Sequence, residues 1–309
     1  MIRKYRYLIL FFVTLALIYA GLTVLLPPND TALERYKLSP FQLRVISLTV
    51  VLPYILIWFT ALYGYIKFKN YADQIPGSRE HPAWDKICRG LLVLAIWMPV
   101  TAVVSTVSTY VGRTYKELLP TTVIIHNYLT LILILTAFYI LHQGSKELAL
   151  TARAKKGGLF LLRFLPALMI IVAVVYTYLS LANPARYQPT QSVDVATYYL
   201  PDVLIVLTII FPYLVIWHMG FQAVKNILTY SSSVAGVFYR NALKYLAGGV
   251  VSIVFSLIIL RLITSLTAWF NSLTLKYILA VVYLLLVIIG LGYVLIALGA
   301  KKLKKLEDA

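Results

Sequence analysis

Residues 44–58 read RVISLTVVLPYILIW, and residues 203–217 read VLIVLTIIFPYLVIW. Set against each other without a gap, 159 positions apart, they share Ile, Leu, Thr, Pro, Tyr, Ile and Trp, seven of fifteen positions. The chain has only five Trp and 13 Pro in 309 residues, too few for both to coincide by chance. The shared pattern T-x-x-x-P-Y-x-x-I-W marks a duplication.

Both copies lie inside long apolar runs. The composition is 61% hydrophobic and 13% charged, and a soluble chain of this size could not hide so much apolar surface. Runs of about 18 or more apolar residues read as membrane-spanning helices. Eight are present, at roughly 7–26, 41–65, 90–111, 122–143, 160–182, 202–221, 246–269 and 277–299. The alternation of transmembrane strands is absent. The start, MIRKYR, resembles the basic region of a signal peptide, but its apolar stretch is long and lacks a small-x-small cleavage site, so it is read as a retained helix. The single Cys88 rules out an internal disulfide and a thiolate metal cluster.

The predicted fold is an all-α polytopic membrane protein. Eight transmembrane helices form two parallel four-helix repeats, related by a pseudo-twofold axis along the membrane normal. Residues 1–152 make the first repeat and 153–309 the second. FYILHQGSKEL (138–148) and YVLIALGAKKL (293–303) close the two halves. Each half has an even number of crossings, so both enter and leave on one side; parallel repeats of this kind occur among transporters.

The net charge of +17 does not indicate nucleic acid, because of where the charge falls. With the N-terminus inside, twenty of the 28 basic residues lie on the inner side. That is the positive-inside distribution. It places both termini in the cytoplasm and the chain in a cell (inner) membrane. The basic segments would touch anionic headgroups on the cytoplasmic side.

Pro53 and Pro212 interrupt their helices. Each removes the hydrogen bond to the carbonyl four residues back, that of Thr49 or Thr208. A Thr hydroxyl bonded to its own preceding turn adds to such a bend. Thr49, Pro53 and Tyr54, with Thr208, Pro212 and Tyr213, are therefore candidate hinges, or structural kinks inherited by duplication. Trp58 and Trp217 fall at the inner headgroup level, where Trp anchors are common. Thr101, Ser105, Ser108, Thr109 and Gly112 in the third run, and Gly248, Ser252 and Ser256 in the seventh, recur mostly at four-residue spacing. That pattern permits close helix packing; the alternative is a polar pore lining. Ser78 and Ser231–Ser233 are candidate N-caps of returning helices.

Arg261 is the charge buried deepest in a predicted span, and an intramembrane charge marks a candidate functional site. Thr264 and Ser265 share its face, Asp202 is its best acidic partner, and Arg44 stands at a corresponding level. Together they suggest a solute or ion-pair site; a snorkelling Arg261 is the structural alternative. No Asp or Glu lies deep in a span, which disfavours proton pumping and cation coupling. His142 and His218 could meet at the inner face, but two interfacial histidines more often simply snorkel. No catalytic, phosphate-binding, cofactor or metal motif is present, so no enzyme activity is expected. Two functions remain. One is transport or channel-type permeation of a small solute, anionic if Arg261 contacts it, at the interface of the repeats. The other is a non-transport scaffold, assembly factor or subunit of a larger membrane complex, with a membrane partner or a second copy.

Overall fold

The structure, a computed structural model, describes residues 2–27, 37–115, 118–151, 170–171, 174–175, 178, 210–234, 236–267 and 275–304. Among these lie seven helices: α1 (Ile2–Leu25), α2 (Pro40–Gln74), α3 (His81–Thr114), α4 (Leu119–Thr151), α5 (Phe211–Ser233), α6 (Val237–Thr267) and α7 (Leu275–Lys304). All but α5 contain a stretch long and apolar enough to cross a membrane, six in total. Large apolar side chains cover the outside as well as the core. Leu52, Leu56, Ile132, Val287 and Leu291 are all more than half exposed, as expected where the surroundings are hydrocarbon. The chain is thus an all-helical, multi-pass membrane protein. The expected fifth span, 160–182, and the start of the sixth lie outside the described residues apart from a few positions.

Local chemistry sets the helix ends. Ser39 caps α2: its hydroxyl accepts from the Gln42 N–H at 3.2 Å, and the Gln42 side chain accepts from the Ser39 N–H at 2.8 Å. This reciprocal box satisfies two donors that a helix start leaves open, and Pro40 in the first turn has no N–H to lose. At the other end, His81 donates from Nδ1 to the Ala72 carbonyl at 2.9 Å, closing α2 against the start of α3. Two expected caps are corrected. The residue before α3 is Glu80, not Ser78, and Ser231–Ser233 are the last turn of α5 rather than the cap of α6. The Ser232 and Ser233 hydroxyls instead bond back to the carbonyls of Thr229 and Tyr230, each at 2.7 Å. Hydroxyls that bond back one turn continue a helix end and do not start the next helix.

Six helices pack in a ring in chain order, with α2 and α7 closing it, and α1 lies against α2 and α3. The widest seams are α3 with α4 and α6 with α7. Glycines make both seams close. A Cβ on Gly144 would stand 2.8 Å from the Ile87 nitrogen, and one on Gly249 would stand 2.5 Å from the Gly292 carbonyl oxygen. Only glycine permits that approach of two backbones. Ser252 strengthens the second seam by donating to the Ile288 carbonyl at 2.7 Å. The small-residue stripe of α6 does therefore serve packing, with Gly249 rather than Gly248 at the tightest point.

Trp58 and Trp217 do not sit in a headgroup belt. Both are fully buried in the bundle core, because their faces of α2 and α5 turn toward neighbouring helices and away from the lipid side. Pro99, buried inside α3, is a second interior proline beside Pro53. Near it, Tyr293 of α7 donates to the Leu94 carbonyl at 2.9 Å.

Candidate functional site

The Thr49–Trp58 segment of α2 faces two ways. The Thr49 hydroxyl donates to the Ile46 carbonyl at 2.7 Å, the expected bond to its own preceding turn, and also meets the Tyr283 hydroxyl of α7. Immediately after Pro53, Tyr54 turns toward α1. Its ring lies 6.2 Å from Tyr19 and 5.4 Å from Trp58, and Tyr19 lies 5.3 Å from Trp58. These rings form a small aromatic wall.

Two adjoining cavities open beside that wall. The larger, about 480 Å³, runs between the ends of α1 and α3 and the starts of α2 and α7; Arg44, Ser47, Thr109 and Tyr110 are among its lining residues. The smaller, about 230 Å³, is lined by Tyr19, Tyr54, Thr101, Ala102, Ser105, Thr106 and His126. Tyr19, Ser105 and Thr106 line both, so the two share a wall. From Pro40 at the start of α2 to Tyr54 the helix advances about 21 Å, so the pair reaches well into the bilayer thickness. Among the described residues, no Asp or Glu lines either cavity.

Hydrogen bonding within the smaller chamber divides its polar groups. Thr101 and Thr106 spend their hydroxyl protons on the Trp97 and Ala102 carbonyls, at 2.8 and 2.9 Å. The hydroxyls of Tyr19, Tyr54 and Ser105 and the imidazole of His126 line the chamber without a protein partner among the described residues. One turn further along α2 and one turn back along α3, the buried indole N–H groups of Trp58 and Trp97 also meet no acceptor there.

Arg261 is half-buried on α6. Its guanidinium lies over the Tyr213 ring, 4.2 Å from the centroid, and Nη2 donates to the Tyr213 hydroxyl. A cation held over an aromatic face and hydrogen-bonded to it is stabilised twice. The charge of Arg261 also bears on His126 of the chamber. The structure thus joins Arg261 to Tyr213 of the repeated stretch. It puts Arg44 at the mouth of the larger cavity, where Arg261 is not a lining residue. Asp202 and Thr208 lie outside the described residues, as do the side chains of Thr264 and Ser265. Pro212 is the second residue of α5, so the turn it would bend is also outside them.

At the opposite end, an acidic and aromatic cluster joins two helix hairpins. Glu80 accepts from the Tyr230 hydroxyl of α5 and, at 3.2 Å, from the Tyr239 hydroxyl of α6. The Trp84 indole donates to the Tyr239 hydroxyl at 3.0 Å, and Phe68 stacks on Trp84 at 5.7 Å. Burial pushes the Tyr230 phenol above its ordinary range, and its bond to Glu80 adds to that. Nearby, Lys69 bridges Asp73 and Asp85, and Lys4 and Arg89 extend the network. His142 Nδ1 is buried without a hydrogen-bond partner among the described residues. No group of three or more metal-ligating side chains occurs among the described residues. Cys88 is buried and unbonded.

Sequence reasoning missed the chamber. It marked Thr101, Ser105 and Tyr54 separately and did not join them with Tyr19 or His126. The available signal was several hydroxyl residues and one His falling at similar depth on α1, α2, α3 and α4. No protein-family model, curated protein or solved structure matches the chain.

Proposed function

We propose that the protein carries a small anionic solute across the membrane, as a transporter or channel with no enzymatic step. The observation that supports this most directly is the pair of adjoining cavities, which runs from Arg44 to Tyr54 and His126 and whose described lining residues include basic but no acidic side chains. A positive field in a cleft with low-dielectric walls concentrates anions.

The proposed architecture remains two four-helix repeats with eight crossings, cytoplasmic termini and placement in a cell membrane. Packing supports the repeat: exchanging α2, α3 and α4 for α5, α6 and α7 maps each principal seam onto another. The ends of α2 and α5, Gln74 and Ser233, also stand 159 positions apart, the offset of the repeated stretch. Helices that pack in the same pattern at the same sequence offset are expected of a duplicated bundle. The partners proposed are anionic lipid at the Lys-rich end and the solute; nucleic acid is not one.

The test is flux. Purified protein is reconstituted into liposomes loaded with potassium methanesulfonate, with valinomycin to carry the cation. Methanesulfonate is small and charged at all working pH values. Protein-dependent efflux, lost in Arg261→Ala at unchanged expression, is the expected result. Absence of flux in the wild type overturns transport and leaves the scaffold reading. Wild-type flux in the Arg261→Ala variant removes Arg261 from the mechanism.

A further inference from the structure

We propose that the chamber lined by Tyr19, Tyr54, Ser105, Thr106 and His126 is a binding site for one small, singly charged oxyanion, a short carboxylate, a sulfonate or nitrate. This deepens the transport reading and rests on the same pair of cavities, but it concerns binding and can be tested apart from flux.

Four observations converge. The first is size. About 230 Å³ is below the usual range of drug-sized pockets, so the occupant has only a few heavy atoms. The second is donor supply. The Tyr19, Tyr54 and Ser105 hydroxyls and the His126 ring have no protein partner among the described residues. Groups of that kind in an apolar bundle carry a desolvation cost unless something meets them, and a water or an oxygen-bearing ligand does so. The third is charge. No carboxylate among the described residues lines the chamber, the Arg261 charge bears on His126, and Arg44 lines the adjoining cavity. A cation would find neither a counter-ion nor a carbonyl cage here. An oxyanion would find hydroxyl donors set in a positive field.

The fourth is how the donors are held. Tyr19 and Tyr54 are fixed edge to face by Trp58, which is fully buried. Thr101 and Thr106 are tied to their own helix and present lone pairs to the chamber. A neutral edge of the same ligand, or a bridging water, can meet those acceptors. The arrangement orients the ligand's oxygens toward the tyrosines and His126, which makes these specificity-determining residues for a solute that enters past Arg44.

Trp58 touches both tyrosines, so the protein carries its own reporter. Wild-type protein in lipid nanodiscs is titrated with potassium methanesulfonate, with potassium chloride holding ionic strength constant; chloride has no oxygen and lies outside the oxyanion class. A saturable change in tryptophan emission is expected. Tyr54→Phe and His126→Gln should each weaken it at least tenfold, with melting temperatures checked to show that both variants fold. Thr109→Ala, which touches only the larger cavity, should leave it unchanged. No saturable change in the wild type overturns the site. Equal affinity in Tyr54→Phe and His126→Gln overturns it as well. An equal response to methylammonium overturns the anion class. Saturable binding with these variant effects but no liposome flux supports the site and overturns transport. Flux that ignores Tyr54 and His126 keeps transport and overturns the site.

Discussion

Tyr54 of α2 and Tyr213 of α5 each follow a proline and precede a buried Trp by four residues, but they meet different neighbours. Tyr54 packs on Tyr19 and Trp58 and borders an open polar chamber. Tyr213 is buried beneath the Arg261 guanidinium, which lies on its ring and bonds its hydroxyl. α3 presents Ser105 to the chamber, where space remains; α6 presents Arg261, whose cation occupies the tyrosine face. One region offers room and the other a fixed charge.

Four substitutions test that contrast, from the largest expected effect to the smallest. Ser105→Arg should put a guanidinium where the chamber is. Methanesulfonate binding should vanish, and burial of an unpaired charge should lower stability by about 3 kcal/mol. Retained binding would show that the space is not the site. Tyr213→Phe should cost about 2 kcal/mol in thermal or denaturant unfolding, because a charge-assisted bond is lost. Tyr54→Phe should cost no more than about 0.5 kcal/mol, since its hydroxyl has no protein partner to lose. Equal costs for the two phenylalanines would erase the contrast. Lys4→Ala should change stability least, by about 0.5 kcal/mol or less. Lys4 is 57% exposed and its partner Asp73 is 28% exposed, and solvent screens such a pair.

The membrane class was plain in the sequence, because hydrocarbon selects long apolar runs whatever their neighbours. The cap at Ser39 depends on residues within one turn, yet the serines marked in the sequence, Ser78 and Ser231–Ser233, were not the caps. Burial of Trp58 was not legible. A position along a helix gives depth in the bilayer but not direction around the axis, and direction is set by helices distant in sequence. Arg261 could be flagged by its charge alone, but its partnership with Tyr213 spans 48 positions. The chamber needed four helices at one depth. The Glu80 cluster was missed because its parts lie about 150 positions apart, and none of them is unusual by itself.

The length of α2 has a mechanical consequence. The helix runs 35 residues, about 52 Å against a hydrocarbon layer of about 30 Å, so a long shaft extends beyond the lipid. Pro53 lies 21 residues before its end at Gln74, which makes an arm of about 31 Å. A turn of about 5° at the proline would swing the tip by roughly 2.7 Å, more than the tolerance of a hydrogen bond. Glu80, bonded to Tyr230 and Tyr239 just past that tip, ties the end of that arm to α5 and α6, so a turn of that size would have to break or remake bonds at the far face.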